Sequence, residues 1–395
     1  MKRFLLIVAA LCAIATLHAA DWAAYRVYAP DAKAIQRVAD SDLALLSEYV
    51  GYTTDVAAPN DTDVKKLGLR YERIGTIADP TVPYLRQTDG TDYRTEYLRY
   101  NEIIAQYEVW RARYPSIVTR QQIGSSIQNR PIWVYRLRNP YTAVQPKGVL
   151  LQGGIHAREW ISPPTVMYIF DMMLNEGVLS AAGWQLLTGY ELSVVPVVNP
   201  DGYEYTWTTN RLWRKNRRDI VNSSQFGVDL NRNYSLGWGG PGSSGMPSSQ
   251  TYRGTAPFSE PEVACIRDYM DARSQLMPYV FIVDYHSYAQ KILYPWSYIE
   301  NAPPHAAELD RVGNVYRDAI LTSGGVNYDV GQGSLALYVA GGTSKDFFYD
   351  EYGANSYTIE MRPTGSPGFE LPPSEILPNV MENYAGFKAV LRDLL

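Results

Sequence analysis

Two histidines of the chain follow runs of residues that are typical of buried β-strands. His156 comes after the largely apolar segment 149–155, and His286 comes after segment 281–285. Because α/β sheets place their ligand-binding loops where strands end, both imidazoles are candidates for chemistry. Glu159 lies three residues after His156 and can present a carboxylate on the same turn. Two histidines and one glutamate are a donor set of catalytic zinc sites, which keep a fourth position open for water.

Spacing alone does not decide between a metal site and an ordinary pair of strand ends. A histidine three residues from a glutamate is common by chance, and only the second histidine at a strand end favours a metal. His305 follows two prolines and is predicted on the surface. Cys12 lies in the apolar N-terminal segment, and Cys265 lies in a predicted helix at 260–273, where it packs as a small hydrophobic residue. Cysteine therefore supplies neither a nucleophile nor a metal cluster.

From about Tyr93 onward, strand-like and helix-like patterns alternate along the chain. The predicted strands are 132–137, 148–152, 191–198, 280–285 and 356–361. The predicted helices are 96–113, 164–175, 260–273 and 306–323, and the Gly- and Ser-rich residues 237–245 are predicted to form a long loop. Several strands are nearly all apolar, as expected where both faces of a sheet are covered. The pattern predicts an α/β fold whose mixed, largely parallel twisted sheet is flanked by helices on both faces.

The first ninety residues differ from the rest. Residues 1–20 combine Lys2 and Arg3 with an apolar stretch and closing small residues, which predicts a secretory signal peptide. Residues 21–80 are predicted to form a small unit in which strands alternate with helices, at 22–28, 31–40, 45–56, 62–67 and 69–77. Residues 79–92 contain two prolines and are predicted to be a linker.

The charge balance argues against nucleic acid as a partner. The formal net charge is −5, whereas phosphate binding needs a basic surface. The apolar N-terminal stretch is shorter than the roughly 20 residues that a membrane span needs, and no later segment is long and apolar enough. We therefore expect an exported protein without a membrane attachment after signal removal. Its location would be extracellular, or periplasmic in a Gram-negative source.

Three further groups are ambiguous when they are taken alone. Residues 229–232 would be predicted as a turn beside a strand, and residues 211–215 as a solvated basic face. Glu360 lies between Ile359 and Met361 on an apolar strand. Burying a carboxylate there is unfavourable unless it is paired or functional.

The residues around these candidates resemble a known family. Segment 153–162, GGIHAREWIS, resembles the zinc motif of metallocarboxypeptidases of the A/B type, the funnelins. Further blocks that resemble this family follow in the same order, namely NPDGY at 199–203, NRLWRK at 210–215, GVDLNRN at 227–233, HSY at 286–288, the glycine loop around Tyr338 and TIEMR at 358–362. The resemblance covers about residues 93–395.

The resemblance implies one zinc ion per chain, bound by His156, Glu159 and His286. It implies that Asp229 orients His156, a support that metal-binding histidines usually have. Glu360 would be the general base for the attacking water and would pass the proton to the leaving amine.

The remaining implied roles concern the substrate. Arg214 would stabilise the oxyanion of the tetrahedral intermediate. Asn231, Arg232 and Tyr338 would bind the terminal carboxylate of a peptide, and arginine suits such a bidentate contact. The rest of the cleft would be lined by Arg158, Arg211, Tyr288 and Phe369.

Lys345 bears on which C-terminal residue is removed. Segment 331–346 resembles the pocket loop of the family, in which the residue before Asp346 forms the floor of the specificity pocket. That residue is apolar in A-type enzymes and acidic in B-type enzymes, whereas lysine would attract glutamate more than aspartate and repel basic ends. Ser297 and Gly333 resemble the roomier B-type lining. Alternatively, Lys345 pairs with Asp346 and leaves a neutral pocket with an A-type preference.

The resemblance also implies a domain organisation. Residues 1–20 would be the signal peptide, 21–88 a ferredoxin-like α+β inhibitory propeptide domain with its linker, and 89–395 the catalytic domain. The protein would be a monomeric zymogen that acts on the C-termini of peptides and proteins. A trypsin-like protease could activate it at Arg86 or Arg94.

Two alternatives to this function are kept. One is a related zinc peptidase that acts on acidic cell-wall or protein-tail linkages. The other is a non-catalytic zinc- or peptide-binding homologue, although such proteins typically lose a ligand or the base. The family often carries a disulfide, but Gln225 and Ser248 stand at the matching positions. No bridge is possible there, so we expect a looser loop at 237–245.

Overall fold

The structure is a computed structural model that describes residues 22–41, 43–45, 53–58, 60–77, 92–140, 142 and 144–395. The signal peptide predicted at 1–20 lies outside these residues, as does the predicted linker apart from Asp92.

The N-terminal unit is a small antiparallel sheet with two helices. Its strands, in the spatial order β2-β3-β1-β4, are β1 (Trp22–Tyr28), β2 (Ala44–Leu45), β3 (Thr53–Ala58) and β4 (Arg70–Ile77). Its helices are α1 (Ala32–Ala39) and α2 (Asp61–Lys66). Val27, Val56 and Val64 are completely buried and form part of one small core. The alternation of strands and helices agrees with the prediction, except that the extended stretch predicted at 45–56 contains parts of two strands.

The remaining residues form an eight-stranded mixed sheet in the spatial order β11-β10-β12-β9-β7-β8-β6-β5. Its strands are β5 (Val118–Ser125), β6 (Pro131–Leu137), β7 (Lys147–Gln152), β8 (Tyr190–Val195), β9 (Tyr279–Ser287), β10 (Lys291–Tyr294), β11 (Asp329–Gln332) and β12 (Asn355–Met361). The central strands β12, β9, β7 and β8 are parallel to their neighbours within this group, and β10 and β11 are parallel to each other. β10 pairs with β12, β8 with β6 and β6 with β5 in antiparallel fashion. The predicted mixed, largely parallel sheet is confirmed.

Helices cover both faces of this sheet. They are α3 (Tyr100–Arg113), α4 (Ser162–Leu179), α5 (Ala181–Gly189), α6 (Pro200–Thr208), α7 (Pro261–Ser274), α8 (Ala306–Thr322), α9 (Gly333–Ala336), α10 (Ser344–Tyr352) and α11 (Ile376–Asp393). Side chains of a strand alternate between the two faces. Accordingly, Val149 and Leu151 of β7 join the core of α3, α4, α8 and α11, whereas Leu150 joins the core of α7 and α10.

Element boundaries differ from the predictions for identifiable reasons. The helix predicted at 96–113 begins at Tyr100, because the backbone N–H of Arg99 donates to the side chain of Glu102 and caps the helix start. The strand predicted at 191–198 ends at Val195, since Pro196 has no N–H to donate to a neighbouring strand. The edge strand β5 was not predicted, because half of its residues are polar and exposed and it lacks an apolar run.

Glu262, in the first turn of α7, is a fully buried carboxyl group. Its Oε1 accepts from the backbone N–H of Ile127 at 3.1 Å, and its Oε2 accepts from Asn216 Nδ2 at 3.2 Å. Burial raises the pKa of Glu262 to about 7. The protonated form therefore stabilises the fold. This contribution is complete below the ordinary pKa of the unfolded chain, near 4.5, and is lost as the pH rises through 7.

We expect Glu262→Gln, which stays neutral at every pH, to remove this dependence. Between pH 5 and pH 8 the wild-type chain should lose roughly 2–3 kcal/mol of unfolding free energy relative to the variant. Denaturant unfolding of both proteins at the two pH values measures the difference, with substitution of the exposed Glu300 by glutamine as control. Parallel pH curves for wild type and Glu262→Gln would contradict the assignment.

Candidate metal centre and substrate pocket

Three predicted metal ligands converge at the carboxyl ends of two neighbouring strands. β7 and β9 are adjacent and parallel, so the loop that carries His156 and Glu159 meets the end of β9, which carries His286. His156 Nδ1 lies 2.8 Å from Glu159 Oε1, and His286 Nδ1 lies 3.0 Å from Glu159 Oε2. The two Nδ1 atoms are 3.1 Å apart. All three side chains are buried, and they form a group that could hold a metal ion.

Each histidine has a carboxylate behind it, on the side away from Glu159. His156 Nε2 lies 3.1 Å from Asp229 Oδ1, and His286 Nε2 lies 3.0 Å from Asp284 Oδ2. When Nε2 carries the proton and donates it to the carboxylate, Nδ1 keeps its lone pair and faces the shared centre. Asp229 was predicted for this position. Asp284 was not, although a carboxylate two residues before a histidine on a strand points to the same side and could have indicated it.

The charged groups around the centre are stabilised by one another rather than by solvent. Arg214 Nη2 donates to Asp229 Oδ2 at 3.0 Å, and Arg214 Nη1 lies 3.8 Å from Glu159 Oε1. Burial alone would raise the pKa of Asp229, but Arg214 and His156 outweigh it and hold that pKa well below its usual range. Burial would likewise raise the pKa of Glu159, and the two histidines lower it instead. Both carboxylates are therefore ionised, and their field favours a cation at the centre.

A cavity opens beside this centre. Its wall includes His156 and seven other residues predicted as site residues, namely Glu360, Asn231, Arg232, Tyr338, Lys345, Ser297 and Gly333. Glu360 lies on β12 directly opposite His286 on β9, and it is 4% exposed. Residues that were not predicted complete the wall, namely Leu293, Leu337, Ala340, Thr343 and Thr358. Leu293 and Thr358 are paired across β10 and β12, a register that sequence alone did not indicate.

The guanidinium of Arg232 is held in place on one side of the cavity. Its Nε donates to the carbonyl of Gly242 at 2.8 Å, and its Nη1 donates to the carbonyl of Asn231 at 2.8 Å. Its Nη2 donates to the hydroxyl of Tyr338 at 2.6 Å. Asn231 is itself fixed by its backbone N–H, which donates to Asp229 Oδ1 at 3.0 Å. These contacts preorganise three polar side chains for an anionic group.

Lys345 is 2% exposed and lies in the wall of the cavity. Its Nζ donates to Ser297 Oγ and lies 3.6 Å from Asp346 Oδ1. The other oxygen of Asp346 accepts from the backbone N–H groups of Ser297 and Tyr298 at 2.7 and 3.0 Å. Burial lowers the pKa of Lys345 and raises that of Asp346. Lys345 thus lines the cavity and also lies beside Asp346.

Gly333 creates the room that Lys345 occupies. A Cβ atom at Gly333 would lie 2.3 Å from Ser297 Oγ and 2.8 Å from Lys345 Nζ. Real Cβ contacts of this kind do not occur, so only glycine permits this position of the lysine.

The other predicted cleft residues form a separate group that does not line this cavity. The guanidinium of Arg158 stacks on the ring of Phe369 at 4.1 Å, and Tyr288 contacts the same ring at 5.0 Å between centroids. Arg211 donates to the carbonyl of Phe369 at 2.6 Å and stacks on Trp160 at 3.8 Å. All four predicted residues are buried.

Two residues that were set aside stay apart from the site. His305 is the N-cap residue of α8, and its Nδ1 lies 3.0 Å from the hydroxyl of Tyr349. Cys265 is buried in α7, and burial raises the pKa of its thiol to about 12, which makes it a poor nucleophile.

A His₂Glu donor set at the carboxyl ends of two parallel strands, beside a cavity with a buried glutamate and arginine, is typical of zinc-dependent hydrolases. Residues 103–386 match the family model described as zinc carboxypeptidase. The chain belongs to the zinc carboxypeptidase family and is a metallocarboxypeptidase with a zinc cofactor.

Curated relatives named carboxypeptidase A and carboxypeptidase B are both similar to the chain. Carboxypeptidase B of Astacus astacus is 36% identical over 303 residues, which cover 75% of this chain and 96% of that protein. Carboxypeptidase A4 of Mus musculus is 35% identical over 278 residues, which cover 70% of this chain and 65% of the mouse protein.

Among solved structures, the crystal structure of thrombin activatable fibrinolysis inhibitor matches with a TM-score of 0.80 and 28% identity. That match covers 94% of this chain and 98% of the other. Within the part of the chain that the structure describes, no helix is long and apolar enough to cross a membrane.

Proposed function

We propose that this enzyme removes single residues from the C-termini of peptides and prefers a C-terminal glutamate. The observation that carries the proposal is the cavity that joins the His156, Glu159 and His286 cluster to the buried Lys345. The metal would act on the scissile bond, and the lysine would receive the side chain of the residue that is released.

The donor set fits zinc. His156 and His286 each direct Nδ1 toward Glu159, and the nitrogen and oxygen atoms involved lie 2.8–3.1 Å from one another. These residues would hold the ion, which when bound supplies Lewis-acid polarisation of the scissile carbonyl and makes the attacking water more acidic.

Glu360 is the proposed general base. It lies on the strand next to His286 and lines the same cavity, which allows it to take a proton from the attacking water and deliver it to the departing amine. Arg214, paired with Asp229 and close to Glu159, would stabilise the negative charge that develops on the carbonyl oxygen.

We assign recognition of the C-terminus of the substrate to the anion site, which consists of the side chains of Asn231, Arg232 and Tyr338. Arg232, Tyr338 and Asn231 would bind the terminal carboxylate, and their mutual hydrogen bonds reduce the entropy that is lost on binding. The separate group that contains Arg158, Arg211, Tyr288 and Phe369 is assigned to the part of the cleft that contacts preceding residues of the peptide.

Charge decides the proposed preference. A glutamate side chain that enters beside Lys345 would complete an ion pair in a buried site, whereas an arginine side chain would be repelled. A phenylalanine would add no charged partner to the contacts that the lysine makes with Ser297 and Asp346. Aspartate is one methylene shorter and would reach the lysine less well.

The N-terminal unit is the proposed inhibitory propeptide. Asp40 accepts a hydrogen bond from Ser244, and Tyr338 packs against the small core of this unit. The unit therefore contacts a residue to which we assign substrate binding.

The structural match also includes the N-terminal unit. Residues 92–395 make up 304 of the 395 residues, so a match to 94% of the chain must extend into this unit. The matched protein is described as thrombin-activatable. We propose a secreted zymogen with a signal peptide at 1–20 and a propeptide domain with linker at 21–88, which precede a catalytic domain at 89–395.

For the catalytic assignment, we expect Glu360→Gln to lower kcat by about 10²–10⁴ while KM and the zinc content stay near the wild-type values. The reason is that the amide cannot accept the proton, yet it keeps the size of the side chain. Steady-state hydrolysis of a peptide ending in glutamate, with zinc measured by atomic absorption, tests this. A variant with wild-type kcat would remove Glu360 from the mechanism. A wild-type protein that binds zinc but releases no residue would favour the non-catalytic homologue.

For the specificity assignment, we expect kcat/KM to be at least about tenfold higher for a peptide ending in glutamate than for matched peptides ending in phenylalanine or arginine, which corresponds to about 1.4 kcal/mol. Lys345→Asp should favour the arginine end, and Lys345→Met should favour the phenylalanine end. Ser297→Ala keeps the lysine and serves as the matched control, so it should retain the acidic preference. Faster release of phenylalanine or arginine by the wild type would refute the charged-pocket proposal.

For the zymogen assignment, limited trypsin treatment of the chain without its signal peptide should raise the rate of release of C-terminal residues by more than about tenfold, because the covered site becomes accessible. Substituting both Arg86 and Arg94 by glutamine should abolish the increase while the uncut protein still binds zinc. Full activity in the uncut protein would rule out an inhibitory propeptide.

A further inference from the structure

Asp284 is a buried carboxylate that contacts one of the residues of the metal centre, His286. It lies on β9 two residues before His286, on the same side of the strand, and is 1% exposed. Its Oδ2 lies 3.0 Å from His286 Nε2 and accepts a hydrogen bond from Ser344 Oγ at 2.5 Å. Its Oδ1 makes no hydrogen bond to a described residue, so the polar contacts of this carboxylate are concentrated on Oδ2.

We infer that Asp284 is a positioning residue that fixes the His286 imidazole for the metal. A buried carboxylate beside Nε2 favours the tautomer in which Nε2 carries the proton. The lone pair is then on Nδ1, the nitrogen that faces Glu159 at 3.0 Å. The negative charge of Asp284 also makes the imidazole a stronger electron donor to a bound cation.

The contrast with Asp229 shows why the two carboxylates act differently. Asp229 shares its second oxygen with Arg214, which neutralises much of its charge. Asp284 is supported by the uncharged hydroxyl of Ser344 instead. More of its charge therefore acts on His286, and we expect His286 to depend on Asp284 at least as strongly as His156 depends on Asp229.

Ser344 connects this pair to the substrate pocket. It is the first residue of α10, and Lys345 follows it in the chain. The backbone N–H of Ser344 donates to Asn231 Oδ1 at 2.8 Å, and Asn231 Nδ2 lies 3.4 Å from His286 Nε2. These four residues close a ring. Hydrogen bonds join His286 to Asp284, Asp284 to Ser344 and Ser344 to Asn231. Asn231 Nδ2 closes the ring only by packing against His286, because Nε2 carries the proton and has no free lone pair in the inferred tautomer. This ring holds a metal ligand, a substrate-binding amide and the start of the pocket helix in one arrangement.

The test is zinc affinity, measured by competition with a chelator of known affinity. Asp284→Asn keeps the size of the side chain but removes the charge, and it should weaken zinc binding by about 10- to 100-fold. Asp284→Ser, a second variant with a smaller side chain, should show at least the same loss. Ser344→Ala leaves the carboxylate in place and should give a smaller loss. The visible spectrum of the Co²⁺-loaded protein should change in both Asp284 variants, because the ligand geometry changes.

A packing role would give a different pattern. In that case Asp284→Asn would lower the unfolding midpoint of the metal-free protein and leave zinc affinity within about twofold of wild type, which would overturn the inference.

The inference rests on the proposed role of His286 as a ligand, and His286→Ala separates the two. If His286→Ala binds zinc as tightly as wild type, the ligand assignment fails and the inference fails with it. If His286→Ala loses zinc while both Asp284 variants retain wild-type affinity and Co²⁺ spectra, only the inference fails.

Discussion

The burial of ionised carboxylates at the ends of two adjacent parallel strands is the constraint on which the site depends. Glu159, Asp229 and Asp284 are each at most 1% exposed, so water cannot stabilise their charges. Instead, imidazole nitrogens and the guanidinium nitrogens of Arg214 lie 2.8–3.8 Å from the carboxylate oxygens and stabilise them. Such an arrangement is stable only if every member keeps its position, because removing one partner leaves a buried charge unpaired. The strands and both layers of helices supply that rigidity.

The same constraint explains why the residues to which we assign substrate binding lie so close to the metal centre. Asp229 accepts from the backbone of Asn231, and Asn231 in turn contacts the first residue of α10 and the ring of His286. The metal ligands, the anion site and the pocket helix therefore share one hydrogen-bond network. A displacement in any one of them would shift the others, which keeps the scissile bond and the chain end in a fixed relation.

Sequence predicted the parts of this site that depend on local pattern. The segments before His156 and His286 are largely apolar, and Glu360 lies between Ile359 and Met361, so all three could be located on or next to predicted strands. The blocks that resemble zinc carboxypeptidases supplied the roles of the polar residues between them. The contribution of Leu293 could not be predicted in this way, because it depends on the register between β10 and β12. The role of Asp284 was not predicted, because in the sequence Asp284 only interrupts the apolar run 281–285 and its pairing with His286 is visible only in the structure.

The preferred C-terminal residue depends on the charged groups in the pocket rather than on overall similarity to relatives. Relatives of A and B type are about equally similar, so resemblance does not choose a preferred substrate. The preference that we propose rests on the charges of this chain instead. Burial lowers the pKa of Lys345, while nearby Asp346 counteracts this effect and also accepts two backbone hydrogen bonds. A substrate carboxylate that arrived beside Lys345 would add a second favourable charge and strengthen the protonated form of the lysine. An acidic C-terminal residue would thus give the charge of Lys345 a second carboxylate partner, whereas an apolar residue would leave Asp346 as the neighbouring carboxylate that offsets it.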